Sequence, residues 1–157
     1  MAVGIYGIIS NNPNITQYIG IQTQTNGTSQ AQATPDYTTK IDNISRNANT
    51  VLNDSYTVLE KYANGAIDQD TAISRLQKDK TSLNNALTEI QGLTPPQNLQ
   101  TFHNLVVSGF QDLNQALSLE ISGLQKNDAN SIQSAADLID SAISKFKQAE
   151  QETNKTS

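Results

Sequence analysis

His103 is the single histidine of a 157-residue chain that contains no cysteine. The lack of thiols removes disulfides, thiolate metal sites and a cysteine nucleophile, and a lone imidazole removes any cage built from several. Haem ligation would need a second strong ligand, and the one methionine is Met1, far from His103 in sequence. A di-metal bundle needs Glu-x-x-His on two helices, and the chain has neither copy. Its carboxylates read as scattered: Asp68 and Asp70 as cap and dipole residues, Asp137 and Asp140 as a solvated face. No Gly-rich phosphate loop occurs, and no Gly-x-Ser-x-Gly elbow. The expectation is a protein that is not an enzyme, with no catalytic residue, no metal and no cofactor.

Composition narrows the class further. Charged residues make up 16% of the chain, against roughly 25% in soluble domains. Uncharged polar residues take their place: 17 Asn, 16 Gln, 14 Ser and 16 Thr. A net charge of −5 without a Lys/Arg cluster argues against nucleic acid as a partner. The length suits one domain with a real core.

Two unlike segments meet near Pro35. From Met1 through Pro35 no side chain is charged, and the first basic residue is Lys40. Residues 1–34 therefore read as an uncharged N-terminal segment, 35–152 as a helical domain and 153–157 as a disordered tail. The apolar run Ala2-Val3-Gly4-Ile5-Tyr6-Gly7-Ile8-Ile9 is too short to span a bilayer and lacks a positive n-region. Three readings stand: the interfacial end of a membrane anchor, a β-hairpin turning at Asn11-Asn12-Pro13-Asn14, or a disordered tail. The anchor remnant is favoured. Thr23 to Thr34 forms a Thr/Gln/Asn/Ser/Ala spacer.

Four helices follow, read from their apolar seams. Thr34-Pro35-Asp36 opens the first, which carries Tyr37, Ile41, Ile44, Ala48, Val51, Ser55, Val58 and Tyr62 before Asn64-Gly65. The second opens at Asp68, carries Ile73, Leu76, Lys80, Leu83, Leu87 and Ile90, and stops at Gly92. Thr94-Pro95-Pro96 restarts the chain with the capping logic of Thr34-Pro35. The third shows Leu99, Phe102, Val106, Gly109, Phe110, Leu113, Leu117, Ile121 and Leu124; Asn127-Asp128 turns into the fourth, with Ile132, Ala135, Ile139, Ala142, Phe146 and Ala149. Steps of three and four over several heptads mark helices packed at shallow angles, and short loops make consecutive helices antiparallel neighbours. Folding each hairpin about its turn sets Leu87 opposite Phe102 and Ile44, and Phe146 opposite Phe110. The predicted fold is an all-α, antiparallel up-down-up-down four-helix bundle, with a three-helix core and a loosely packed first helix as the alternative.

Lys80 interrupts the second seam, and the same register sets Gly109 against it. Gly inside a helix costs about 1 kcal/mol relative to Ala, so it usually has a packing reason. The favoured reason is room for the Lys80 stem, whose ammonium reaches water; the functional alternative is a ligand-binding pocket at Lys80 and Gly109 that holds an anion. His103 follows a seam residue and is expected on the rim, as a surface side chain. Five Asn-x-Ser/Thr triplets occur, at Asn14, Asn26, Asn43, Asn53 and Asn154, where chance gives about three. They are candidate glycosylation sites.

Leu93-Thr94-Pro95-Pro96, then Phe102-His103, Leu113, Leu117, Gly123-Leu124, Asn127-Asp128, Ile132 and Ala135-Ala136 together resemble a known pattern. It is that of extracytoplasmic helical-bundle domains of bacterial and archaeal surface proteins and lipoproteins. The resemblance covers roughly Asp36 to Glu152. It implies an envelope-associated bundle, tethered at its N-terminus by an anchor or lipid, and it transfers no functional residue because the family carries no agreed activity. This chain departs in having no cysteine for lipidation, so a tether would be a transmembrane segment. The function expected is that of a non-catalytic, extracytoplasmic, membrane-tethered domain that binds another protein or an envelope polymer. The spacer would hold it about 20 Å from its tether. The alternative is a small-ligand sensing or solute-binding bundle.

Overall fold

The computed structural model describes residues 35–155, with side chains for 37–153. All three readings of the N-terminal segment, and the spacer, lie outside the described residues. Within them the chain is all-α: α1 (Pro35–Ala63), α2 (Gln69–Gln91), a single 3₁₀ turn (Gln97–Leu99), α3 (Gln100–Lys126) and α4 (Ala129–Lys155). The C-terminal tail expected from residue 153 is helical as far as Lys155.

The helix boundaries follow from local chemistry. Asp68 stands in extended backbone and its carboxylate accepts from the Thr71 N–H, 2.7 Å away, which satisfies one of the free donors at the start of α2. Gly92 caps the other end, its N–H donating to the last carbonyls of α2. Asn127 closes α3 in the left-handed region at φ 51°, a conformation Asn tolerates better than most residues. Asp128 then accepts from the Asn130 N–H and the Ser131 hydroxyl and opens α4. The start of α3 departs from the expected Thr-Pro cap. Pro96 leads into the 3₁₀ turn, and neither that turn nor α3 has a side-chain cap.

Seven Ser and Thr hydroxyls along α1, α2 and α3 donate to the carbonyl four residues back, Thr50 to Arg46 and Ser118 to Asn114 among them. These side chains would otherwise compete with the backbone for partners. Bonded back onto their own helix, they leave a Ser/Thr-rich chain helical.

Each helix packs on the one before it. Along α3 and α4 the contacts run in opposite senses: Gly109 meets Phe146 and Gly123 meets Ile132. The same holds for α1 and α2, where Asp54 meets Arg75 at one end and Ile44 shares a groove with Glu89 at the other. All the seam residues of α3 are buried, and Phe110 and Phe146 meet edge to face with centroids 5.7 Å apart, the pairing expected from the hairpin register. Such a pair adds about 1 kcal/mol to the burial of its two rings. The first helix is not loose: Ile41, Ile44, Ala48 and Val58 are all buried. Leu87 is half-buried against the core.

Candidate functional site

Gly109 does not open a pocket toward Lys80. The space in front of Gly109 is taken by α4: a Cβ there would stand 2.5 Å from Phe146 Cε1 and 2.7 Å from Cζ. The glycine makes room for the Phe146 ring rather than for a lysine stem. A register of two helices cannot show the third that packs against both. Lys80 itself is half-buried, and the groove described below does not include it.

His103 also departs from expectation. It is 8% exposed, and its Nδ1 lies 3.1 Å from the Tyr37 hydroxyl at the start of α1. Which group donates follows the imidazole tautomer. Burial pushes the His103 pKa below its ordinary value, which keeps the ring neutral, and pushes Tyr37 up to about 12. A rim position on α3 is covered because the first turn of α1 lies over it. Two aromatic side chains thus join α1 to α3.

Among the glycosylation candidates, Asn43 and Asn53 are exposed on α1. The hydroxyl residues of their triplets, Ser45 and Ser55, are buried in the bundle, 1% and 3% exposed. Those serines have a packing reason to be small and to lie where they do. Asn14 and Asn26 lie outside the described residues, and Asn154 falls in the last turn of α4.

The carboxylates are less scattered than the sequence suggests. Ser55 on α1 places its hydroxyl 2.9 Å from Asp79 Oδ2 on α2, with both residues buried. The same hydroxyl lies 3.1 Å from the Val51 carbonyl, and its one proton serves one acceptor at a time. On α3, Glu120 is 5% exposed, and its Oε2 is buried with no hydrogen-bond partner. Burial, and then the charge of Asp79, push the Glu120 pKa up to about 8, so the side chain is a neutral acid at pH 7. Burial raises Asp79 as well, against the hydrogen bond from Ser55. On the outer side Asp54 pairs with Arg75 across α1 and α2. A sequence signal for Glu120 existed: from Phe102 the three-four steps through Val106, Gly109, Leu113 and Ala116 lead to it. Among the described residues no group of three or more His, Asp or Glu could hold a metal ion.

One surface concavity is built between α1 and α2, with a volume of about 450 Å³. Its floor is methyl-rich, from Ile44, Ala48, Val51 and Ala86. Asn47 and Thr50 on α1, and Ser82, Asn85 and Glu89 on α2, supply the polar wall. Small side chains at Ala48, Ser82 and Ala86 hold the groove open. Of its nine lining residues only Glu89 carries a charge; the amides of Asn47 and Asn85 offer donors and acceptors, and the Thr50 and Ser82 hydroxyls, whose protons go to the Arg46 and Lys78 carbonyls, offer acceptors, over an apolar base.

No protein family, curated protein or solved structure matches the chain. Among the described residues no helix is long and apolar enough to cross a membrane.

Proposed function

We propose that the chain is a non-catalytic binding domain of a cell envelope, an up-down-up-down bundle held at its N-terminus through the spacer of residues 23–34. It grips an uncharged, hydroxyl-bearing polymer, a neutral glycan, in the groove between α1 and α2. The observation that carries this reading is the groove's lining: two amides that donate and accept and two hydroxyl oxygens that accept, set over methyl groups, with one carboxylate at the wall. A net charge of −5 disfavours acidic polymers at the same surface. The charge-poor, amide-rich surface and the resemblance to surface-protein domains support an extracytoplasmic position. Glycosylation at exposed Asn43 and Asn53 belongs to the same proposal.

Nuclear magnetic resonance titration of the full chain with neutral and with acidic oligosaccharides tests it. The expected result is saturable shifts at Asn47 and Asn85 with the neutral sugars alone, lost in Ala86→Leu while the circular dichroism of the bundle is kept. Shifts that survive Ala86→Leu, or none with any neutral glycan, overturn it. Thermal stabilisation by a small anion, sensitive to Lys80→Met, would favour the solute-binding alternative instead.

A further inference from the structure

We propose that Asp79 and Glu120 form a proton-operated latch on the packing of α1 and α2 against α3. With a proton on Glu120 the helices close over a neutral acid. Release of that proton to solvent leaves a carboxylate, with its charge unpaired, in the interior, and the seam loosens.

The geometry stands on three helices. Ser55 of α1 holds Asp79 of α2 by a hydrogen bond at 2.9 Å, which fixes one carboxyl group inside the seam. Glu120 of α3 is nineteen-twentieths buried with Oε2 unpartnered, and Asp79 is the charge it feels. A buried carboxylate needs a cation or several donors to offset lost hydration, and neither is supplied here. Around Asp79, α1 brings the carboxylate of Asp54, and α2 brings the cations Arg75 and Lys78. Arg75 is engaged with Asp54, at the half-exposed margin of the seam. From α4, Lys145 is engaged with Asp112, Asp137, Asp140 and Lys147 are exposed, and none of them shifts Glu120. Among the described residues, burial and the charge of Asp79 are what act on Glu120, and no cation offsets them.

The sign follows from linkage. A carboxyl whose folded pKa lies above its unfolded value contributes most below the unfolded value of 4.5, and that contribution falls as pH rises to about 8. Urea unfolding of the full chain from pH 5 to 9 reads it, comparing the natural protein with Glu120→Gln. The difference between the two cancels the groups that are not coupled to Glu120, His103 included. The expected result is that the unfolding constant of the natural protein rises, relative to the variant, by up to tenfold per pH unit until about pH 8. Parallel pH profiles would overturn the latch.

Two measurements on the carboxyl itself keep the test open if Glu120→Gln does not fold. In the natural protein labelled with carboxyl-¹³C glutamate, one of the five Glu signals should titrate near pH 8; five ordinary midpoints would reject the proposal. In Asp79→Asn that midpoint should move down, and an unmoved midpoint would separate the two residues. Hydrogen exchange, corrected for its intrinsic pH dependence, should show lower protection in α1 and α2 at pH 9 than at pH 7. Equal protection would mean that the proton is bound without acting on the packing.

Discussion

The Phe146 ring occupies the volume that a side chain at Gly109 would need. A Cβ at Gly109 would come within 3.0 Å of three ring atoms, and Phe146 is only 2% exposed, so the ring has nowhere to retreat. Gly109→Ala gains about 1 kcal/mol of helix propensity and loses about 1–3 kcal/mol to overpacking. The expected outcome is a net destabilisation, read as a lower urea midpoint at unchanged slope. Adding Phe146→Leu should make the alanine neutral or better, and a double-mutant cycle measures that coupling.

Tyr37→Phe deletes the contact with His103 while keeping the ring. Loss of one buried hydrogen bond should cost about 1 kcal/mol in urea unfolding. His103 has a folded pKa below 6.5, so the unfolded chain takes up the proton first. Its contribution is complete above pH 6.5 and falls as pH drops toward the folded pKa. Proton resonance titration of the single imidazole should give a midpoint below 6.5. A midpoint at or above 6.5 would mean that the ring is solvated.

The two helix-capping aspartates contribute to the loss of stability in acid. Hydrogen bonds from the Thr71 residue to Asp68, and from Ser131 and Asn130 to Asp128, hold both carboxyls below their ordinary pKa. What they contribute is present above about pH 4, the unfolded range, and is lost as pH falls through the folded values. Asp68→Ala and Asp128→Ala should each fray the first turn of α2 or α4. Amide exchange at Thr71 and Asn130 would show it, and unchanged rates there would contradict the capping role.

Ion pairs in this bundle should differ in weight by their burial. Lys145 and Asp112 join α4 to α3 with side chains 28% and 15% exposed, whereas Arg46 and Asp42 lie on one helix with Arg46 75% exposed. Lys145→Met is expected to destabilise by about 1 kcal/mol or more, because it strands the less exposed Asp112, and Arg46→Met by a few tenths. Urea titrations at low and high salt check both: added salt should erase the Arg46 effect first.

The helices and their ends were legible because they depend on near neighbours. Asp68, Gly92 and Asn127 act through bonds to residues a few positions away, and the seams of all four helices repeat at the period the backbone imposes. The burial of His103 was not legible, and Glu120, though it lies on the line of the third seam, is passed over when that seam is traced through apolar residues alone. Their burial depends on α1 and α2 closing over α3, which is a tertiary fact. Gly109 stands out as needing a packing reason, but a pairwise register cannot choose between two flanking helices, and the one that fills its space is α4 rather than α2. The groove arises from three small side chains on facing helices, Ala48, Ser82 and Ala86, none of which stands out in a sequence rich in such residues.

Gly109, Ala116 and Gly123 recur every seven residues along α3, as Phe146, Ile139 and Ile132 do along α4. Large knobs on one rod therefore meet notches on the other at heptad intervals. Sliding α4 by one turn would drive Phe146 and Ile132 onto bulkier positions together, so the pair behaves as a ratchet. The next tooth lies a full heptad away, about 10 Å along the axis. Small sliding motions, a common way for helical proteins to transmit a signal, are thereby denied to this half of the molecule, and any such motion is left to α1 and α2.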